Sequence, residues 1–160
     1  MKWNKHWLIP INVLLVLVML NKGISDKEQI MEKGKSIYLH LAPVDPRSLI
    51  QGDYMRLSFA VLDSVDRRVL PKRGFCVLRT DEKGVVTAAR FQQAQEPIYR
   101  GEYLMKYTTG FNGIQVGAES YFFQEGKAER YSRAAYALIQ IDARGNSLLR
   151  GLCDSTLTQL

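Results

Sequence analysis

The chain has 160 residues, 46% of them hydrophobic and 24% charged, with a formal net charge of +6. That length allows one domain, or one domain with an anchor, and the composition is that of a folded chain, not a disordered or low-complexity one. The positive balance does not point to nucleic acid: only Arg67, Arg68, Lys72 and Arg73 cluster, Asp63 and Asp66 flank them, and no aromatic-basic module accompanies them.

Residues 7–20, WLIPINVLLVLVML, carry no charge; Lys2 and Lys5 precede them and Lys22 follows. A helix of that length spans only about 21 Å, short of a hydrocarbon core of roughly 30 Å. Extended over residues 3–24 it reaches about 33 Å, with the flanking lysines snorkelling and Trp3 and Trp7 in the interface. A cleaved signal peptide, an uncleaved anchor and the buried helix of a soluble domain all compete for this segment. The apolar run ends Met19-Leu20-Asn21-Lys22, without small residues that mark a cleavage site, and no cysteine follows that would mark a lipoprotein. The anchor is therefore the expected reading. The short basic N-terminal tail points to a cytoplasmic N-terminus and an exported domain, although Lys22 and Lys27 lie on the opposite flank. The expected organisation is a membrane anchor over residues 1–24, a polar helical linker over 25–35 and a β-rich domain over 36–160. The expected address is the inner (cytoplasmic) membrane, single-pass, with the soluble domain on the periplasmic or extracellular side.

Beyond the anchor, Ser25 or Asp26 caps a polar helical stretch that Gly34 ends. Residues 36–41 alternate, with Ile37, Leu39 and Leu41 on one face, which predicts a half-buried strand. His40 falls on the other face, as a rim residue. Residues 54–62 alternate again, with Met55, Leu57, Phe59 and Val61 on one face and Arg56 and Ser58 opposite. A charged connection over 63–73 leads into a hairpin of strands 75–79 and 85–91, joined by a loop ending at Gly84. Two further strands, 103–108 and 114–123, are joined through Asn112-Gly113, a strong turn dipeptide. One or two helical turns are expected over 126–133, and a last hairpin pairs 136–141 with 148–152. Seven or eight strands at this spacing predict an all-β barrel or sandwich behind a single transmembrane helix.

Cys76 and Cys153 admit two readings. In an oxidising compartment a bridge would close a long loop, contributing about 4–5 kcal/mol on the entropic model. Each also falls in or beside a strand, where a buried thiol serves as a small hydrophobe. Their spacing does not suggest a metal site, His6 and His40 are isolated, and no cofactor is expected.

The most informative segment is 43–59, PVDPRSLIQGDYMRLSF. It reads as a strand exit, one capped helical turn, a glycine turn and a second strand. Asp45-Pro46 starts the turn, Leu49 and Ile50 plug the core beneath it, Gly52 permits a positive φ, and Asp53 bonds backbone N–H groups ahead of it. That reading is architectural. The sharper alternative makes Asp53 and Tyr54 part of a binding site lined by Arg47 and Arg56. Gly52-Asp53-Tyr54 and Leu57 closely resemble the signature of the GDYXXLXY family, with Phe59 in place of its last tyrosine. Residues 117–123, GAESYFF, with Glu125-Gly126-Lys127, resemble that family's second block. The resemblance implies a single-pass bacterial membrane protein without an assigned reaction. It also implies a neighbourhood of multi-span membrane proteins, beside which, or fused to which, some members occur.

A weaker likeness is to type I signal peptidases, which share an N-terminal anchor, a β-rich exported domain and a serine lead-in ending in Gly-Asp before a strand. Ser48-Leu49-Ile50-Gln51-Gly52-Asp53 has that shape. Aligning it puts Val44 where the nucleophilic serine would stand, leaves Ser48 as the nearest hydroxyl, and makes Lys106 the counterpart of the lysine base. Such chemistry needs a hydroxyl within about 3 Å of a lysine whose pKa burial has lowered. The expected function is accordingly an exported binding or assembly module acting with a membrane or envelope protein; the alternative is a serine–lysine hydrolase or a catalytically dead relative. No residue is assigned a catalytic role. The candidate binding residues are Asp45, Arg47, Asp53, Tyr54, Arg56, Glu119 and Glu125. For Asp45, Arg47 and Asp53 the plainer reading is caps and a turn-stabilising ion pair, and an acid–base pairing of Glu119 with Glu125 is the minor one. Tyr121, Phe122, Phe123, Tyr131 and Tyr136 read as core and rim aromatics, whose exposed members would supply a binding face.

Overall fold

From the apolar run to Gly34 no residue inside the helix breaks it, and one helix, α1 (Leu8–Lys33), runs through both the expected anchor and the expected polar stretch. The computed structural model describes residues 7–42, 54–63, 65–111 and 113–160. At the end of α1 the chain turns extended at Gly34, whose N–H still donates to the Ile30 carbonyl at 2.9 Å. Ile30 is the buried residue of α1. The apolar stretch has none of its surface covered, so it is not the core helix of a soluble domain but a candidate membrane span.

Nine strands follow among the described residues: β1 (Lys35–His40), β2 (Tyr54–Arg56), β3 (Arg73–Thr80), β4 (Val86–Gln92), β5 (Glu102–Gly110), β6 (Gly113–Gln115), β7 (Ser120–Phe122), β8 (Tyr136–Ile141) and β9 (Ser147–Cys153). Two single-turn helices, α2 (Ala60–Asp63) and α3 (Ala128–Tyr131), interrupt them. The strands pair antiparallel in three groups, ordered β1-β8-β9, β2-β7 and β4-β3-β5-β6. Tyr38 bridges to Val85, Leu41 bridges to Phe59, and the Lys106 N–H donates to the Gly145 carbonyl at 2.8 Å. These contacts knit the groups into a curled antiparallel half-barrel, so the mainly β expectation holds. Ile37, Leu39, Leu78, Met105, Ile139 and Leu152 fill its core. Cys76 and Cys153 are both buried and both remain thiols.

Two elements depart from the pattern read in the sequence. The strand over 54–62 stops at Arg56. Met55, Leu57 and Phe59 do turn inward on the two-residue period, but the next buried position is Leu62, not Val61. The N–H groups of Leu62 and Asp63 both bond to the Phe59 carbonyl, and Ser58 Oγ donates to the Asp63 carboxylate, which rolls the chain into α2. The strand over 114–123 splits in two. Gly117 takes φ +80°, and Glu119 Oε1 accepts from the N–H groups of Val116 and Gly117. The break sends β6 to β5 and β7 to β2.

Domain and helix meet at a built junction. Every residue of β8 from Ala137 to Ile141 is buried, because one face meets the core and the other meets the α1 end. Gln140, 3% exposed, sits at that join. With its amide oriented to suit its neighbours, it donates to the Gly34 carbonyl (2.7 Å) and accepts from Arg150 Nη1 (2.9 Å) and Ser36 Oγ (3.2 Å). A buried amide held by three partners costs little to bury and much to disturb.

Candidate binding cleft

The ribbon β2–β7 brings together the two segments singled out in the sequence. Its register pairs Tyr54 with Phe122, Met55 with Tyr121 and Arg56 with Ser120, and the Leu57 N–H continues it by donating to the Glu119 carbonyl at 2.8 Å. Strand alternation then sorts the side chains. Met55 and Tyr121 turn inward, where Tyr121 and Phe123 both pack against Tyr131, ring centroids 5.2 Å and 4.9 Å apart. The hydrogen bond with Tyr131, then burial, pushes the Tyr121 phenol up to about 12. Arg56, Ser120 and Phe122 face solvent.

Beside the ribbon opens a cleft of about 470 Å³. Leu57, Phe59 and Leu62 make its apolar part; Arg56, Ser58, Asp63, Gln115 and Glu119 supply its polar groups, and Phe111 stands at its lip. Both acids are already engaged, Asp63 by the Ser58 hydroxyl and Glu119 by two backbone N–H groups. Arg56 has no ion-pair partner among the described residues, so it is the charge available to an incoming group. No His, Lys or Cys is among the lining residues, and the group that receives the Ser58 hydrogen bond is the Asp63 carboxylate. Among the described residues there is no cluster of His, Cys, Asp and Glu that would hold a metal.

Of the residues proposed from the sequence, the structure brings Arg56 and Glu119 to this cleft. Glu125 is exposed in the turn after β7 and does not line it. Tyr54 heads the ribbon by its backbone pairing. Asp45, Arg47, Ser48, Gly52 and Asp53 lie outside the described residues, and with them the expected turn geometry. Lys106 is exposed on β5, and its Nζ donates to Asn146 Oδ1 at 2.7 Å. That is a solvent-facing position. Ser58, Asp63 and Gln115 are the lining residues that sequence reading missed. The missing signal is the Ser58–Asp63 bond, which is out of reach in a strand and follows at once from α2.

A family model described as GDYXXLXY protein matches residues 16–152. The chain belongs to the GDYXXLXY family. No curated protein and no solved structure matches it. The GDYXXLXY match starts within α1 and ends within β9, so the family unit includes the helix from residue 16 onward as well as the β domain. The family signature and the second block are the two strands of one ribbon, 66 residues apart at the Met55–Tyr121 pair (121 − 55).

Proposed function

We propose that this GDYXXLXY protein is a membrane-anchored, exported binding or assembly module that docks on a membrane or envelope protein through the β2–β7 ribbon and its cleft. The observation that carries the reading is the composition of that face. Phe111, 96% exposed, lines the partly apolar cleft with Arg56, an unengaged cation, and Phe122, 73% exposed, is on the β2–β7 ribbon beside it. Exposed aromatics with an arginine are the side chains that dominate protein interfaces. α1 supports the anchor: it is long, apolar and uncovered, and it runs on unbroken into a fixed junction with the domain. In this reading Asp45, Arg47 and Asp53 join Tyr54 as binding residues, Arg56 and Glu119 line the cleft, and Glu125 stands in the turn after β7. The domain then lies on the periplasmic or extracellular side of the inner membrane.

The test places a photo-crosslinking amino acid at Phe111 in the full chain and irradiates intact membranes. The expected result is one discrete adduct that Arg56→Glu reduces at least several-fold while the melting temperature stays unchanged. A chain that migrates alone after irradiation, or an adduct indifferent to Arg56→Glu, would sink the docking face.

A further inference from the structure

The β8–β9 turn stands beside α1 just past its apolar stretch. Residues 142–146 face Gly23, Asp26, Lys27 and Lys33 of α1 across a cavity of about 550 Å³. Lys27 is three residues past Ile24, a rise of about 4.5 Å, which falls inside a headgroup layer of roughly 5–7 Å on each side of the hydrocarbon.

The turn is rigid. Asp142 Oδ1 accepts from the N–H groups of Arg144 (2.9 Å) and Asn146 (2.7 Å), and Oδ2 accepts from Asn146 Nδ2 (2.7 Å). Gly145 is buried at φ +80° against β5, where a Cβ would lie 3.3 Å from the Lys106 nitrogen. Ala143 and Arg144 are left exposed at the tip. The side chains of Lys27, Lys33 and Arg144 have no hydrogen-bond or ion-pair partner among the described residues. The Asp142 carboxylate is consumed by the turn, which leaves Asp26 as the one acid in the cavity wall not so engaged.

We propose that Lys27 and Arg144 form a seat for the phosphate of an anionic phospholipid in the bilayer that α1 spans. The seat rests on the anchor reading. Charge complementarity and level both favour it: Lys27 stands at the height of lipid phosphates, Arg144 lines the same cavity on a turn that needs no ordering on binding, and neither side chain has a partner among the described residues. The lipid pins the domain's near face to the membrane surface.

The test uses the full chain in nanodiscs of phosphatidylcholine alone and of phosphatidylcholine with one part in three of phosphatidylglycerol. Hydrogen exchange is read over residues 142–146. Exchange in the mixed discs should be slower by roughly fivefold or more, the effect of one basic side chain at an anionic surface. The double variant Lys27→Gln, Arg144→Gln should melt like the parent and lose the difference. Equal exchange in both discs, or a difference that survives the double variant, overturns the seat. Protection reproduced in phosphatidylcholine discs by inorganic phosphate overturns the lipid as its occupant. A chain that fails to co-elute with either disc overturns the anchor, and the seat falls with it.

Discussion

Glu119 shows how one side chain can serve a turn and a cleft together. Its Oε1 satisfies two backbone N–H groups that the break between β6 and β7 would otherwise leave bare, while the residue itself stays in the cleft wall. Glu119→Ala is expected to lower stability by about 1–2 kcal/mol and Glu119→Gln by less, because the amide carbonyl still accepts. Urea unfolding measures both; an alanine variant as stable as the parent would free the carboxylate for ligand. Cys76 is a second case. Burial pushes its thiol from 9.0 up to about 12, so the folded form holds its proton where an unfolded thiol gives it up. Its contribution to stability is therefore intact below about pH 9 and is lost as the pH climbs toward 12. Iodoacetamide at pH 8 should leave Cys76 and Cys153 unmodified in the native chain and label both in denaturant. Labelling of native Cys76 would contradict the closed core.

Turn chemistry decided which elements the sequence made legible. Asp81 Oδ1 accepts from the N–H groups of Lys83 and Val85 with Gly84 at φ +82°, and Asp142 does the same for Arg144 and Asn146 with Gly145 at φ +80°. Both hairpins could be read from that aspartate and that glycine. A third turn has the same build, with Asp154 accepting from Thr156 and Thr158, but Leu157 holds the left-handed position at φ 64°. Without a glycine it gave no sign, and the bridge from Cys153 to Gln159 that it closes went unread. The strand over 54–62 failed for another reason: Met55, Leu57, Phe59 and Val61 satisfy a period of two, and only the packing of Leu62 shows that the period changes. Two of the cleft's polar groups, Ser58 and Asp63, depend on that change. The junction of α1 with β8 was equally invisible, since a lone glutamine inside a strand carries no pattern. Gln140→Leu should strand the Gly34 carbonyl and the Ser36 and Arg150 donors, costing about 1–3 kcal/mol. It should also speed trypsin cleavage at Lys33 and Lys35, whereas unchanged stability and cleavage would place the hold on α1 elsewhere.

At the scale of the whole molecule, α1 runs into the domain at a packed junction, and on the proposed anchor reading the membrane decides where the domain sits. The intact chain should resist carbonate extraction, and removal of residues 1–24 should release the domain, because the uncovered apolar stretch has no other place to go. Protease added outside spheroplasts should digest the domain, and recovery of a mature N-terminus beyond Leu20 would contradict the anchor. The unbroken passage of α1 into Gly34 also sets a rotational phase. Each residue of an α-helix turns the chain by about 100° and advances it 1.5 Å. One alanine inserted between Ile24 and Ile30 would therefore swing the cleft by about 100° around the membrane normal while barely changing its height. Four alanines would return it to within about 40° of its original bearing and lift it about 6 Å. A partner fixed in the same bilayer would lose the cleft after the first insertion and largely recover it after the fourth, so its binding would follow a compass bearing and not a tether length.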